Sequence, residues 1–385
     1  MAALQWSMEY PKLASYQLCN GPLKIDNRIC PVYSGFPCCL MPNFSIGVDL
    51  GGTNLRIAAV DEQGRLMEKI TLGTKTVLGR DHVLNDMCEA VQQASNKYQG
   101  TATLLGVGIG VPGIMDVQTG MMRESPNLPG WADYPVRSEI ERRLGAPVIL
   151  ENDANVAAFG EKWLGAGRHV GDMAMLTLGT GVGGGIVLGG KIWHGMTGMA
   201  GEFGHMTVEP EGQQCGCGNR GCLEQYASAT AVMRMAREAI AAGTAPGLAM
   251  GANSDVEFNA KEIHNLAIQG DEQARRIFRR VGRALGISLA TMVNGLNLEM
   301  YVIGGGVSSA WEAFSPSIFE ELRQRSMVYA ATAPSDPLRM SSGASGQVEP
   351  GAGRKTIITR ALLGSDAGLF GAARLPMVRS QGAHC

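Results

Sequence analysis

The chain has 385 residues and a formal net charge of −2, a length that exceeds one small core and suits two domains of ordinary size. The near balance of charge gives no electrostatic case for nucleic acid or a membrane surface as the main partner. No apolar run reaches the roughly 18 residues of a spanning helix, and the richest stretch, 173–190, is broken by glycines.

Residues 1–40 show neither helical nor strand periodicity and are expected to form an unstructured extension ahead of Met41. Glu9, Pro11 and Lys12 interrupt any apolar leader core. Of the nine cysteines, Cys19, Cys30, Cys38 and Cys39 lie here, and a metal site from Cys30, Cys38 and Cys39 lacks a well-spaced fourth ligand. An odd cysteine count with a metal-type cluster further on favours a reducing compartment, read as the cytoplasm.

The first predicted strand, 44–49, ends in Asp49-Leu-Gly-Gly-Thr-Asn54. Strands follow at 55–60 and 65–73 around the turn Asp61–Gly64. The Gly-Gly-Thr turn therefore joins two strands, which excludes a Walker A loop and a dinucleotide fingerprint, since both open a helix. An amphipathic helix is expected at 81–97, a buried strand at 104–111 ending in Pro112-Gly113, and a loop at 124–131. A helix at 136–144 and a strand at 147–150 lead to Glu151-Asn-Asp-Ala-Asn155 and a helix through Leu164. The strand 172–178 then runs into the glycine-rich turn 179–185 and a second strand, repeating the layout at Asp49. The repeat indicates two related α/β domains, each opening with a hairpin. Residues 41–160 are assigned to the first, to which the last helix returns, 161–375 to the second, and 376–385 to a tail. Later elements are helices near 229–242, 260–268, 271–294 and 314–326, strands at 300–303 and 356–359, and a helix at 366–374. The Ser-, Gly- and Pro-rich stretch 334–353 reads as an exposed loop.

Three features carry chemistry. Glycine-rich turns follow strands at 49–54, 179–185 and 304–306, and such turns let backbone N–H groups approach phosphate oxygens. Asp49 stands where a carboxylate could hold the Mg²⁺ of a nucleotide. Asp153, at a strand-to-helix junction, reads either as the helix N-cap or as a general base that takes a hydroxyl proton during phosphoryl transfer. His205, Cys215, Cys217 and Cys222 form the ligand set of a closed tetrahedral zinc site, which leaves no open position for water or substrate. Glu202 and Glu224 bracket that loop and suit recognition of sugar hydroxyls.

With DLGGTN at 49–54, GVPG at 110–113, ENDAN at 151–155, LGTGVGGG at 178–185, EFGH at 202–205 and CGCGNRGCLE at 215–224, the chain resembles the ROK family of sugar kinases and repressors, over residues 44 to 374. ESPNLPGW and LGSDAGLFGAA look most like its glucokinase branch. The resemblance implies two actin-like (ribonuclease H-like) ATPase domains, mixed sheets flanked by helices, with a cleft between them. It implies ATP-dependent phosphorylation of a hexose 6-hydroxyl, and places glucose first among N-acetylglucosamine, N-acetylmannosamine, fructose and allose. By motif match, Asp153 would be the base, and Asn152, Glu202, His205 and Glu224 would bind the sugar, with Gly113 and Asn127 facing it. Asp49, Gly51, Gly52 and Thr53 would serve the phosphates and Mg²⁺, Thr180 and Gly181 would hold phosphate from the other side, and Gly305 would lie near the adenosine. His205 would bind zinc through one ring nitrogen and sugar through the other. A homodimer is the family expectation. Family repressors carry an N-terminal DNA-binding domain, for which residues 1–40 are too short and too broken by Pro and Gly, so no nucleic acid is expected as a partner.

Overall fold

The computed structural model describes residues 41–125, 127–252, 258–337 and 354–382. The 1–40 extension and most of the 334–353 stretch lie outside the described residues. In chain order the first half runs β1 (Asn43–Leu50), β2 (Asn54–Asp61), β3 (Leu66–Gly73), α1 (Arg80–Asn96), β4 (Thr103–Val111), a short hairpin β5 (Ile114–Asp116) and β6 (Met121–Glu124), α2 (Val136–Leu144), β7 (Val148–Asn152) and α3 (Asp153–Trp163). The second half runs β8 (Met173–Leu178), β9 (Val182–Leu188), β10 (Lys191–Ile192), α4 (Glu224–Ala227), α5 (Ala229–Ala241), α6 (Pro246–Ala252), α7 (Ala260–Gln269), α8 (Glu272–Leu296), β11 (Met300–Gly304), α9 (Trp311–Arg325), α10 (Met327–Thr332), β12 (Ile357–Arg360) and α11 (Ala367–Gly382).

Two five-stranded sheets carry this order, β3-β2-β1-β4-β7 and β10-β9-β8-β11-β12. In each, an antiparallel three-strand meander is followed by two parallel strands reached through helical crossovers. The repeat of strand, Gly-Thr turn and strand seen in the sequence is thus a repeat of topology. The turns at 50–54 and 178–182 stand at equivalent corners of the two sheets. Both meanders end on a partly exposed edge strand, β3 alternating and β10 only two residues long, as an edge that must not recruit further strands requires.

Each sheet has its own core. Phe44, Ile46 and Val48 of β1 are packed with Leu84, Met87 and Val91 of α1. Leu176 and Tyr301 of the second sheet are packed with Phe278, Leu285 and Leu289, which recur at helical spacing along α8. The helix α11 returns to the first sheet, where Leu369, Ala373 and Met377 join Ala58 and Val60. Gly108 makes this approach possible, because a Cβ there would lie 1.9 Å from the Ala372 carbonyl oxygen. The same contact explains why α11 runs past the Arg374 expected from sequence to Gly382, through Pro376. Proline removes the N–H that would bond to the carbonyl four residues back, here that of Ala372, which already faces the sheet. The hairpin β5–β6 and the helices α4, α6 and α10 were not expected, being too short for a clear periodicity.

The far end of α3 is tied to the chain before α11 by Glu161, whose side chain is fully buried. Its carboxylate accepts from the backbone N–H groups of Ala166 (2.8 Å), Leu362 (3.1 Å) and Leu363 (2.7 Å). Glu161→Ala should cost about 2–4 kcal/mol, because the three donors lose a charged acceptor. Denaturant unfolding measures this, and a loss below about 1 kcal/mol would show that water replaces the carboxylate. Among the described residues no helix is long and apolar enough to cross a membrane.

Candidate active site

The strand β7 delivers the chain to the start of α3, and Asn152 caps that helix. Its Oδ1 accepts from the N–H groups of Ala154 (2.9 Å) and Asn155 (3.2 Å), and its Nδ2 donates to the Gly113 carbonyl (3.3 Å). Asn152 being the cap, the N-cap reading of Asp153 is set aside. Asp153 keeps one carboxylate contact, from the Ala154 N–H (2.9 Å). Burial pushes its carboxyl up to about 6, the Ala154 hydrogen bond opposes the rise, and the nearby carboxylates of Asp49 and Glu202 add to it. A carboxylate with that affinity for a proton is suited to accept one near neutral pH.

The turn between β1 and β2 carries Gly51, Gly52 and Thr53. It is fixed by Gly51 N–H to the Asn54 carbonyl (2.9 Å), Thr74 N–H to the Thr53 carbonyl (2.8 Å) and Thr74 Oγ1 to the Gly51 carbonyl (2.7 Å). Asn127 lies against it, since a side chain at Gly52 would touch the Asn127 Cβ at 3.5 Å. Asp49, on β1, pairs with Arg56 Nη1 at 3.2 Å. Burial raises the Asp49 carboxyl, Arg56 opposes this, and Asp366 adds to it.

The second turn is held from the other side. The Ala229 N–H bonds to the Gly179 carbonyl (2.8 Å) and Thr230 Oγ1 donates to the Thr180 carbonyl (2.8 Å), leaving the Thr180 side exposed. Glu224 Oε2 accepts from the Val182 N–H (3.0 Å), and a side chain at Gly181 would meet that same oxygen at 2.3 Å. Glu224 thus joins the metal loop to the 179–182 turn, a tie that the sequence did not indicate. Gly305 brings the third turn to the second. Its φ of +83° and a Cβ that would lie 2.5 Å from the Leu178 backbone exclude any other residue there.

The loop 202–224 gathers His205, Cys215, Cys217 and Cys222, with every ligand atom within 4.8 Å of the others. Cys217 and Cys222 sulfurs stand 3.7 Å apart, and Cys215 Sγ is 3.8 Å from His205 Nδ1. Zn–S bonds of about 2.3 Å in a tetrahedron set sulfurs about 3.8 Å apart, so these residues fit the ion. His205 turns Nδ1 to the sulfurs and leaves Nε2 4.0 Å from Glu202 Oε2.

A shallow opening lies beside Gly113, Asn152 and Glu202, with Asn155, Ile114 and Met199 also in its wall. Glu151, given no role in the sequence reading, lies behind it. Its Oε1 accepts from Asn152 N–H (2.9 Å) and Asn155 Nδ2 (3.0 Å), and its Oε2 is 2.6 Å from His194 Nε2. The spacing of Glu151 and Asn155 could have hinted at such a pair; His194 is too distant in sequence to have done so. The Glu151 hydrogen bond raises the His194 pKa. A raised folded-state value adds stability below the unfolded pKa of about 6.5 that is lost as pH rises through the folded value. His194→Leu should therefore lower the melting temperature more at pH 6 than at pH 9, and an equal loss at both would remove the charged pair from the folded state.

The model of the ROK family matches residues 45–377, and the chain belongs to that family. It is 40% identical over 284 residues to a glucokinase of Thermotoga maritima, covering 74% of this chain and 87% of that one. It is also 33% identical over 284 residues to a xylose repressor of Caldicellulosiruptor bescii, covering 74% and 71%. A ROK family glucokinase from Streptomyces griseus, solved in complex with glucose and AMPPNP, superposes with a TM-score of 0.68 at 36% identity over 86% of this chain and 98% of that one. The two mixed five-stranded sheets flanked by helices are the ROK hexokinase fold of the actin-like ATPases.

Proposed function

We propose that the protein is a sugar kinase that transfers the γ-phosphoryl group of ATP to the 6-hydroxyl of glucose, with Asp153 as general base. The observation that carries this reading is Asp153 itself: a carboxyl raised to about 6, beside Asn152 and near both Asp49 and Glu202. The identity to glucokinases of other bacteria supports glucose as the sugar.

Asn152, Glu202, Glu224 and His205 Nε2 hold the sugar hydroxyls, with Gly113 and Asn127 closing the side. The sugar 6-oxygen gives its proton to Asp153 and attacks the γ-phosphorus in line, and the bond to the bridging oxygen breaks to release ADP. Gly51, Gly52, Thr53, Thr180 and Gly181 direct N–H and hydroxyl donors at the phosphates, and Gly305 keeps the backbone clear for the nucleoside. Asp49 would hold the Mg²⁺ that accompanies ATP, which would offset phosphate charge. His205, Cys215, Cys217 and Cys222 would hold a structural zinc, which would fix the His205 tautomer. Residues 41–160, to which α11 returns, and the rest of residues 161–375 act as two domains that close on the sugar, and the working assembly is a homodimer.

Release of ADP should be followed with glucose, N-acetylglucosamine, N-acetylmannosamine, fructose and allose, and with ATP or polyphosphate as donor. Glucose with ATP should give the highest kcat/KM; a higher value for another pair reassigns the substrate, and no turnover on any sugar removes the kinase reading. The repressor identity favours a second reading, a sugar-responsive regulator. Sugar-dependent retention of upstream DNA in a gel, without ADP release, would support it.

A further inference from the structure

Glu151 is buried near the end of β7, and its carboxylate is shared by three donors. Oε1 accepts from the Asn152 N–H at 2.9 Å and from Asn155 Nδ2 at 3.0 Å, and Oε2 stands 2.6 Å from His194 Nε2. An ionised carboxylate only accepts, so Nε2 is the donor of this third bond. The first two bonds fix the start of α3, where Asn152 is the N-cap, Asp153 the next residue and Asn155 part of the first turn. The third comes from the other half of the chain, from the segment between β10 and the metal loop. That segment is closed by the Ala200 N–H, which donates to the His194 carbonyl at 3.2 Å, and Glu202 follows two residues later. Gly201 seats it on β9, where a Cβ would lie 2.7 Å from the Gly184 carbonyl oxygen. One ring thus joins the helix start that carries Asn152 and Asp153 to the loop that ends in Glu202.

Resting on the sugar-kinase reading, we propose that His194 is a positioning residue for the reaction, acting through Glu151 on Asn152 and Asp153 and through its own backbone on Glu202. The His194 side chain is 36% exposed and that of Glu151 only 3%, so the ring supplies from the surface the donor that the buried oxygen lacks. Without the ring, Oε2 becomes a buried acceptor with no donor, and the carboxylate turns toward whatever donor it can reach. The bonds at Oε1 then loosen, and the first turn of α3 moves with them. Asp153 follows that turn, because its carboxylate keeps a single hydrogen bond among the described residues, from the Ala154 N–H at 2.9 Å. The phosphate turns are fixed independently, the first by Thr74 and the second by Ala229 and Thr230. The influence of His194 therefore falls on the base and the sugar contacts and spares ATP.

The test is the steady-state kinetics of His194→Leu and His194→Gln with glucose and ATP, at a temperature where circular dichroism shows both folded. Leucine fills the space without a donor, whereas glutamine keeps an N–H near the place of Nε2. The leucine variant should lose about tenfold in kcat, since a misplacement of about 1 Å can cost about 10²-fold. Its KM for glucose should rise about threefold, with the KM for ATP changed by less than about twofold. Glutamine should recover most of both losses. Unchanged kcat in folded His194→Leu would overturn the inference. So would an equal rise in both KM values, the mark of a general weakening of the fold, or a glutamine variant as impaired as the leucine one. Should His194→Leu fail to fold, His194→Asn, whose shorter amide falls short of Oε2, takes its place. If the unaltered protein phosphorylates no sugar, the kinase reading has failed separately, and amide hydrogen exchange decides the tie itself. Faster exchange at Ala154 and Asn155 in the leucine variant than in the glutamine variant supports it, and equal rates overturn it.

Discussion

Asp153→Asn should lower turnover by about 10²–10⁴-fold, the usual worth of a general base, and should make the protein more stable above pH 6. Both effects have one cause. Burial holds the Asp153 carboxyl up to about 6, against an ordinary value of 3.8. A raised folded-state pKa contributes stability that is present below the unfolded value and lost as pH rises through the folded one. At pH 8 the ionised carboxylate therefore costs the fold about 3 kcal/mol, from a shift of roughly two units at 1.36 kcal/mol each. Asparagine cannot ionise, so the variant escapes that cost at pH 8 and gains nothing at pH 3.5. Urea unfolding at the two pH values, with sugar binding by calorimetry, gives the comparison. A variant less stable at pH 8 would mean that Asp153 holds the fold rather than serving the reaction, and near-normal turnover would remove it as base.

Stripping the metal, or Cys217→Ser, should lower sugar affinity and melting temperature together. Zinc in small structural sites supplies about 10–16 kcal/mol of binding free energy. Losing even a third of that should lower the melting temperature by about 5 °C in a chain of this size. The sugar enters because the metal loop carries Glu202, His205 and Glu224. His205 Nδ1 faces the sulfurs, so the ion would fix the ring that, on the proposed reading, turns Nε2 to the sugar. Glu224 also anchors the Val182 N–H, so disorder in the loop should reach the phosphate turn and raise the KM for ATP. Metal-free protein with full sugar affinity would reduce the loop to a fold staple.

The local chemistry of this protein was largely legible in its sequence. Three strand-to-turn corners, the His-Cys cluster and the helix opening at Asn152 each declare themselves within a few residues, because turn geometry and metal spacing are short-range demands. The tandem topology was legible for the same reason, since the Gly-Thr corners at 51–53 and 179–181 look alike. Contacts set by tertiary packing were not. Glu151 with His194, Glu161 with Leu362 and Leu363, and Glu224 with Val182 join segments far apart in the chain. Short elements such as β5, β6 and α6 escaped because they span too few residues to show a period.

The most direct measurement is phosphorus and proton NMR of the products formed from ATP, Mg²⁺ and glucose, by the unaltered protein and by Asp153→Asn. The unaltered protein should give a phosphorus resonance coupled to the protons on C6 of the sugar, together with ADP, and the variant should bind glucose and form neither. Phosphate on another carbon, inorganic phosphate in place of the sugar ester, or equal product from both proteins would contradict sugar phosphorylation at the 6-hydroxyl by Asp153.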